Sequence, residues 1–151
     1  MQLLIIVIVL LSLILALIGV TTNYWYQSLS SEFHEGLWII CRRANPMNHK
    51  HLCQKQPFFK SQILSIFALV LLAISFIFSV IQRYRHRLAY LTILLLTITT
   101  ILLIFSYLLY PRHFNFKQLG YSIYLMIVSS LLTFITAGLL TFSTRQIQSI
   151  E

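Results

Sequence analysis

Four long apolar runs constrain this chain more than any other feature of its sequence. They cover Leu3–Thr22, Ile63–Ile81, Leu88–Tyr110 and Leu119–Phe142, and no Asp, Glu, Lys, Arg or His interrupts any of them. An α-helix rises about 1.5 Å per residue and needs about 20 residues to cross the hydrocarbon core of a bilayer. The runs therefore predict an all-α membrane protein built as a bundle of four transmembrane helices.

Two other interpretations of the runs fit the sequence less well. A soluble bundle needs a polar stripe on each helix, whereas the run Ile63–Ile81 offers only three serines, and the whole chain is 58% hydrophobic and 9% charged. A cleaved signal peptide begins with basic residues, whereas only Met1 and Gln2 precede the first run. Cleavage near Ala16 or Gly19 stays the alternative to a retained first span.

The segments between the runs predict the orientation. A long loop (24–62) and a short one (111–118) share one side, and the connection 82–87 with its three arginines lies on the other. Dense arginine next to a span favours the cytoplasm, although the long loop holds more basic residues in total. Cys41 and Cys53 decide between these signals, because both lie in the long loop and a disulfide persists in an oxidising compartment. We therefore expect a multi-pass plasma-membrane protein with both loops outside and both termini in the cytoplasm.

Cys41 and Cys53 are the only cysteines of the chain, and their position favours a disulfide between them. Closing a loop of this size restricts the unfolded chain by about 3 kcal/mol in the chain-entropy model. Free thiols are one alternative. Zinc bound with the help of His49 and His51 is another, but the spacing differs from that of structural zinc sites, so we expect no metal.

The long loop also predicts a β-hairpin. Leu37–Ile40 is a β-prone run, and Ala44–Asn48 contains a proline flanked by turn-forming residues. The disulfide would then staple the two arms of the hairpin. We expect Trp25 and Trp38 at the membrane surface, where indoles anchor proteins in the bilayer.

The order of these residues resembles the signature of the claudin and peripheral myelin protein/epithelial membrane protein superfamily. The signature comprises Trp25, Gly36, Leu37, Trp38, Cys41 and Cys53, and Gly120-Tyr121-Ser122 is similar to the superfamily's start of the fourth helix. The layout of spans and loops agrees over the whole chain, and the short first loop and tail are closer to the epithelial membrane proteins.

The resemblance implies a single domain over residues 1–151 in which the first loop forms most of a small extracellular β-sheet, completed by a strand near the second loop. It also implies a structural or adhesive role at cell contacts, including an influence on paracellular permeability. Other members of the superfamily are auxiliary subunits of ion channels or receptors, which is the alternative function. The signature residues would serve the folding of the outer domain. Claudin tails end in an apolar residue that binds PDZ scaffolds, whereas this tail ends in Glu151, so a PDZ partner is not expected.

Charge and side-chain chemistry predict contacts rather than catalysis. Acidic residues are scarce, the spans hold no ionisable group, and Glu32, His34 and Glu35 fit a solvated turn better than a general acid–base pair. We therefore expect no enzyme activity and no cofactor, with membrane lipids and other membrane proteins, including copies of this chain, as partners and no nucleic acid. A basic outer surface would attract anions and acidic partners. Its predicted members are Arg42, Arg43, Lys50, Lys55, Lys60, Arg112 and Lys117.

Small residues in the first and fourth runs predict close contacts between helices. In lipid, association depends on close packing, which small side chains permit. We expect these positions to pack within one bundle, with contact between molecules as the alternative. They are Ser12, Ala16, Gly19, Ser130, Thr133, Ala137 and Gly138.

Overall fold

Four helices and a small sheet make up the part of the chain that the computed structural model describes, which is residues 2–27, 33–43, 51–55, 60–82, 88–110 and 119–148. All four helices are long enough and apolar enough to cross a membrane. Each predicted run thus corresponds to a helix. The helices are α1 (Gln2–Thr21), α2 (Lys60–Ile81), α3 (Ala89–Leu108) and α4 (Tyr121–Gln148).

Two helix ends differ by more than two residues from the limits of the apolar runs. Helix α2 begins at Lys60, ahead of the run that starts at Ile63, and α4 continues past Phe142 to Gln148. The sequence between Phe142 and Gln148 contains neither glycine nor proline, so nothing in it stops the helix. Hydropathy shows where a chain becomes polar. The end of a helix depends on its backbone and can lie several residues further along.

The helices form a ring in which each packs against two neighbours. Helix α1 contacts α4 and α2, and α3 contacts α2 and α4. Along α1 the buried residues include Ile5, Val9, Ser12, Ala16 and Gly19, which lie alternately four and three residues apart. This heptad spacing is typical of left-handed bundles, in which neighbouring helices interlock their side chains at a small crossing angle.

The same spacing continues in α2, but the buried residues there are mostly polar. Ser61, Ser65, Ser75 and Ser79 are buried together with Ala68 and Leu72. Large apolar side chains face outward instead, and Phe67 is 59% exposed. The interior of the bundle therefore mixes small and hydroxyl-bearing residues with apolar ones such as Leu72. The outward positions carry large hydrocarbon side chains, the reverse of a helix that meets water.

Most of the buried hydroxyls are satisfied within their own helix. Ser75 and Thr99 donate to the carbonyl oxygens of Leu71 and Leu95, four residues earlier, at 2.7 and 2.8 Å. Such bonds let a hydroxyl lie in an apolar interior without losing a partner.

Two hydroxyl pairs cross between helices. The Oγ atoms of Ser12 and Ser129 lie 2.9 Å apart, and each also donates to the other's carbonyl oxygen, which joins α1 to α4. Ser65 and Ser106 form a second hydroxyl pair, which joins α2 to α3. These two pairs fix the register of two of the helix contacts.

The sheet lies between α1 and α2 in the chain and has the strand order β1–β2–β3–β4, with every neighbouring pair antiparallel. An isolated bridge from Tyr26 to Leu119 attaches β1 to the segment before α4. The expected completion near the second loop is thus a single bridge among the described residues. The strands are β1 (Tyr26–Gln27), β2 (Phe33–Glu35), β3 (Ile39–Arg43) and β4 (His51–Lys55).

Candidate functional site

The disulfide predicted in the long loop is confirmed. Cys41 and Cys53 are bonded and occupy directly opposite positions on β3 and β4, with their Cα atoms 4.1 Å apart. The free-thiol and zinc alternatives are wrong, because the two sulfurs are bonded to each other. The disulfide staples the hairpin as expected, with Cys41 buried and Cys53 exposed.

The hairpin itself differs from the prediction at its first arm. Strand β3 begins at Ile39, whereas Leu37 and Trp38 lie in a bend before it. Their place outside the ladder leaves both residues free to reach the helices below. The predicted turn at 44–48 lies outside the described residues.

Trp25 lies inside the protein and not at a membrane surface. Its side chain is 0% exposed, and its Nε1 donates to the carbonyl oxygen of Gly19 at 2.8 Å. Its ring also packs against Tyr110, with the ring centroids 5.2 Å apart. The predicted anchoring of Trp25 in the bilayer is therefore wrong, because the chain bends back after α1 and places the indole over the end of its own helix.

Trp38 bonds to the same end of α1 as Trp25. It is half-buried, and its Nε1 donates to the carbonyl oxygen of Val20 at 2.8 Å. The last carbonyls of a helix have no backbone partner within the helix. The two indoles supply partners for the carbonyls of Gly19 and Val20, so together they cap α1 while joining it to the sheet.

Gly36 and Leu37 hold the sheet against the helices. An added Cβ on Gly36 would lie 2.4 Å from the Cα of Asn23, so only glycine permits the chain to pass so close at this point. Leu37 is fully buried, and its carbonyl oxygen accepts a hydrogen bond from Gln62 Nε2 at 2.7 Å. Gln62 lies in the first turn of α2, so this bond fastens the loop to a second helix.

Gly120 joins the fourth helix to the same place. Its backbone N–H donates to the carbonyl oxygen of Trp25 at 2.9 Å, and Ser122 N–H donates to that of Tyr24 at 3.2 Å. An added Cβ on Gly120 would lie 1.7 Å from the Tyr24 oxygen. We call the assembly of Trp25, Gly36–Trp38, Gln62 and Gly120 the junction.

Sequence reasoning found most of the junction and missed parts of it. Neither Gln62, which belongs to the junction, nor Tyr110, which packs against its Trp25, was among the predicted site residues. Gln62 carried a signal, because it is a large polar residue next to an apolar run, and the structure leaves it only 2% exposed. Tyr110 carried none, since an aromatic residue at the end of a span is ordinary.

The predicted basic surface is divided between two faces of the sheet. Arg42 pairs across the strands with Leu52, and Lys55 pairs with Ile39. Residues one apart along a strand point to opposite faces, so Arg42 and Lys55 lie on different sides. Both are exposed, and Lys60 is exposed at the start of α2.

The other predicted basic residues are described less fully. Only the backbone of Arg43 is described, and Lys50, Arg112 and Lys117 lie outside the described residues. Whether they extend the surface therefore stays a prediction.

The solvated turn expected at Glu32, His34 and Glu35 is wrong for His34 and Glu35, because both lie on strand β2. Glu35 is buried, His34 stacks on Tyr24 with ring centroids 4.9 Å apart, and Glu32 lies outside the described residues. Neighbouring positions on β2 place His34 and Glu35 on opposite faces of the sheet. In the described part of the chain, no cluster of three or more His, Cys, Asp or Glu side chains is placed to hold a metal ion.

The small residues of the first and fourth helices lie in the bundle interior with one exception. Six of the seven are buried in helix contacts: Ser12, Ala16, Gly19, Ser130, Thr133 and Ala137. Gly138 is exposed on the outside of α4, where an added Cβ would meet nothing within 4 Å. Its predicted contact within the bundle is wrong, because adjacent residues of a helix point about 100° apart and Ala137 takes the inward position.

The chain matches no known protein-family model and no curated protein. What the junction can do follows from its chemistry: it bonds a small sheet rigidly to three helices.

Proposed function

We propose that this chain is a four-span plasma-membrane protein that holds a small extracellular sheet on a rigid bundle and acts structurally at cell contacts, as its resemblance to the claudin superfamily implies. The observation that carries the proposal is the junction. Trp25, Trp38 and Gln62 bond the loop to α1 and α2 by side chains whose partners are backbone carbonyls. A sheet fixed in this way presents its surface in one orientation, which is what a contact protein requires.

The polarity of the bundle supports a bilayer as its surroundings. Each helix has small, hydroxyl-bearing and apolar residues on its inner side, and it exposes large apolar ones, including Leu3 at 67% and Phe134 at 66% exposure. In water this would expose most of the hydrophobic side chains, whereas in lipid it costs nothing and lets the helices approach closely.

The disulfide supports the proposed orientation. A bond between Cys41 and Cys53 persists in an oxidising compartment, and the arginines at 83, 85 and 87 lie between the two helix ends that point away from the sheet. We place the sheet outside the cell and both termini inside. The exposed cations Arg42, Lys55 and Lys60 then give the outer surface a positive charge, which favours anions over cations beside it.

The contact role is tested by mixing cells that express the fluorescently tagged protein with cells that do not. We expect enrichment at borders between two expressing cells and a change in the anion-to-cation permeability ratio of a confluent layer. Uniform distribution over the cell surface, with unchanged permeability, would contradict the contact role. A Gly36→Val variant serves as the control, because its side chain clashes with Asn23 and detaches the sheet.

The auxiliary-subunit alternative has one observation in its favour. Gly138 lies on the outside of α4 between exposed Phe134 and Phe142, which leaves a notch in an otherwise bulky apolar face. A helix of a larger channel or receptor would fit against such a notch. Purification of the tagged protein in mild detergent tests this: a stoichiometric large subunit that is lost with Gly138→Ile and kept with Leu131→Phe would favour this role over the first.

A further inference from the structure

The outer edge of β4 is open in the described part of the chain. Strand β4 is the last of the four, and no described strand lies on its other side. In antiparallel pairs, residues with Cα atoms about 4.5 Å apart do not hydrogen-bond each other, and their N–H and C=O groups point away from the partner strand. Cys41 and Cys53 are such a pair, at 4.1 Å. The backbone groups of residues 51, 53 and 55 therefore point to the open edge.

A shallow concavity borders this edge on one face of the sheet. It has a volume of about 240 Å³ and is lined by Ile40, Arg42, Leu52 and Gln54. Leu52 is 65% exposed. The face thus combines a cation with an apolar surface.

Arg42 is held in place within this concavity. Its guanidinium carbon lies 5.4 Å from the centroid of the Phe33 ring on the neighbouring strand. A cation over an aromatic face is attracted by the ring, which restricts the positions of the guanidinium. Holding it there in advance lowers the entropic cost of binding an anion.

The exposed charged residues of the described strands all have the same sign. Arg42 and Lys55 are exposed, whereas Glu35, the one acidic residue in the four described strands, is 3% exposed. The described surface of the sheet therefore carries positive charge without an exposed carboxylate to balance it. Complementarity favours an acidic partner.

We propose that the open edge of β4 binds an extended acidic segment of a partner protein, which adds to the sheet as a fifth strand. Main-chain hydrogen bonds to residues 51, 53 and 55 would supply the pairing. An acidic side chain opposite Leu52 would point over Leu52 toward Arg42 on β3, which is two strand spacings of about 4.8 Å from the added strand. This inference rests on the proposed placement of the sheet outside the cell, and it adds the chemical class of the partner.

A second copy of the chain fits the edge less well. Pairing the β4 strands of two copies would bring together two sheets that each expose Arg42 and Lys55. Juxtaposed surfaces of like charge oppose association. An acidic segment removes that repulsion, so we assign the edge to a different protein.

The test is a binding measurement on the purified full-length protein in lipid nanodiscs. The probe is a fluorescent hexapeptide of alternating glutamate and valine, and its binding is measured by fluorescence anisotropy. We expect Arg42→Ala to weaken binding about tenfold. Lys60→Ala removes an exposed cation of helix α2 that is not part of the sheet. It should change binding less than about twofold, because it alters only the long-range attraction of the peptide, which salt screens.

A proline substitution separates strand addition from simple charge attraction. Lys55→Pro removes one outward N–H while leaving the ladder to β3 intact, since proline is tolerated at a sheet edge. It should weaken binding about tenfold more than Lys55→Ala, which removes the same charge. An intact disulfide in both variants shows that the sheet has formed.

Three results would overturn the inference. The first is that the Lys55→Pro and Lys55→Ala variants bind the peptide equally well. The second is that a hexapeptide of alternating lysine and valine binds as well as the glutamate peptide. The third is that a second copy of the chain occupies the edge, seen as a dimer that Lys55→Pro dissociates. The assay needs neither cells nor a known orientation. Its failure therefore leaves the contact role standing, and uniform distribution in the cell-mixing experiment leaves the binding result standing.

Discussion

Trp25 shows how one side chain can be both a core residue and a helix cap. Its ring fills the space beside Tyr110, while its N–H bonds the Gly19 carbonyl at 2.8 Å. A phenylalanine there would keep most of the packing and lose the donor. We expect Trp25→Phe to lower the free energy of unfolding in detergent by about 1–3 kcal/mol, since a buried carbonyl is left without a partner.

An exposed aromatic residue provides the control for that variant. Tyr90 is 56% exposed on α3, and Tyr90→Phe should change the unfolding free energy by less than about 0.5 kcal/mol. The unfolding free energies of both variants are measured by circular dichroism while the fraction of denaturing detergent is increased stepwise. Equal stabilities for the two variants would show that the bond to Gly19 contributes nothing.

Two glycines of the fourth helix region give opposite predictions for the same substitution. Gly120 faces the Tyr24 carbonyl, which an added Cβ would approach to 1.7 Å, whereas Gly138 faces open space. Gly120→Ala should therefore separate α4 from the sheet and lower the unfolding free energy by about 3 kcal/mol or more, because the obstructing atoms are backbone. Gly138→Ala should leave it within about 1 kcal/mol of the original. Surface expression measured by flow cytometry should fall for the first variant only.

Serine pairs set how two of the helices meet. Ser12 and Ser129 each donate a hydrogen bond to the other's backbone carbonyl, with their Oγ atoms 2.9 Å apart. We expect a double-mutant cycle of Ser12→Ala and Ser129→Ala to yield a coupling energy of about 0.5–1.5 kcal/mol, the range of hydrogen bonds between helices in membranes.

Ser75 supplies the comparison, because its hydroxyl bonds only to Leu71 of its own helix among the contacts described. Ser75→Ala combined with Ser129→Ala should therefore be additive. A coupling for this pair as large as that for Ser12 and Ser129 would mean that the exchanged bonds are not what joins α1 to α4.

The helices were predictable from sequence because they follow from the hydrophobicity of a whole run, to which nearly every residue contributes. Two of the strands were not. Strands β1 and β2 span two and three residues, which is too short for an alternating pattern to appear. They exist because Trp25 N–H bonds the Glu35 carbonyl at 2.8 Å and aligns the two segments. Only the β3–β4 hairpin, with its cysteines, had a local signal.

The inward and outward faces of the helices could be predicted only partly from the sequence. Ala137 and Gly138 are equally small, yet one is buried and the other exposed. Size alone does not separate them, whereas the heptad spacing of Ser130, Thr133 and Ala137 does. The junction was found through its tryptophans and glycines, but the role of its indoles could not be inferred, because a tryptophan next to a span equally suits an interface anchor.

For the molecule as a whole, the orientation gives a direct prediction. Lys60 is exposed at the sheet end of the bundle and Arg145 is exposed in the last turn of α4 at the other end. Single cysteines at these positions should differ in labelling of intact cells by a membrane-impermeant maleimide. Lys60→Cys should be labelled at once, and Arg145→Cys only after the membrane is permeabilised. The reverse pattern would overturn the proposed placement of the sheet.

The attachment of Gly120 to Trp25 also has a consequence for the order in which the protein is made. Residues of the sheet leave the ribosome before α4, but the backbone bond of 2.9 Å that ties Trp25 to this part of the chain comes from Gly120, just before α4. Ser12 likewise waits for Ser129. The outer domain therefore reaches its final form only after α4 has been synthesised. A chain truncated before α4 would present an incomplete surface to the chaperones that inspect newly made proteins.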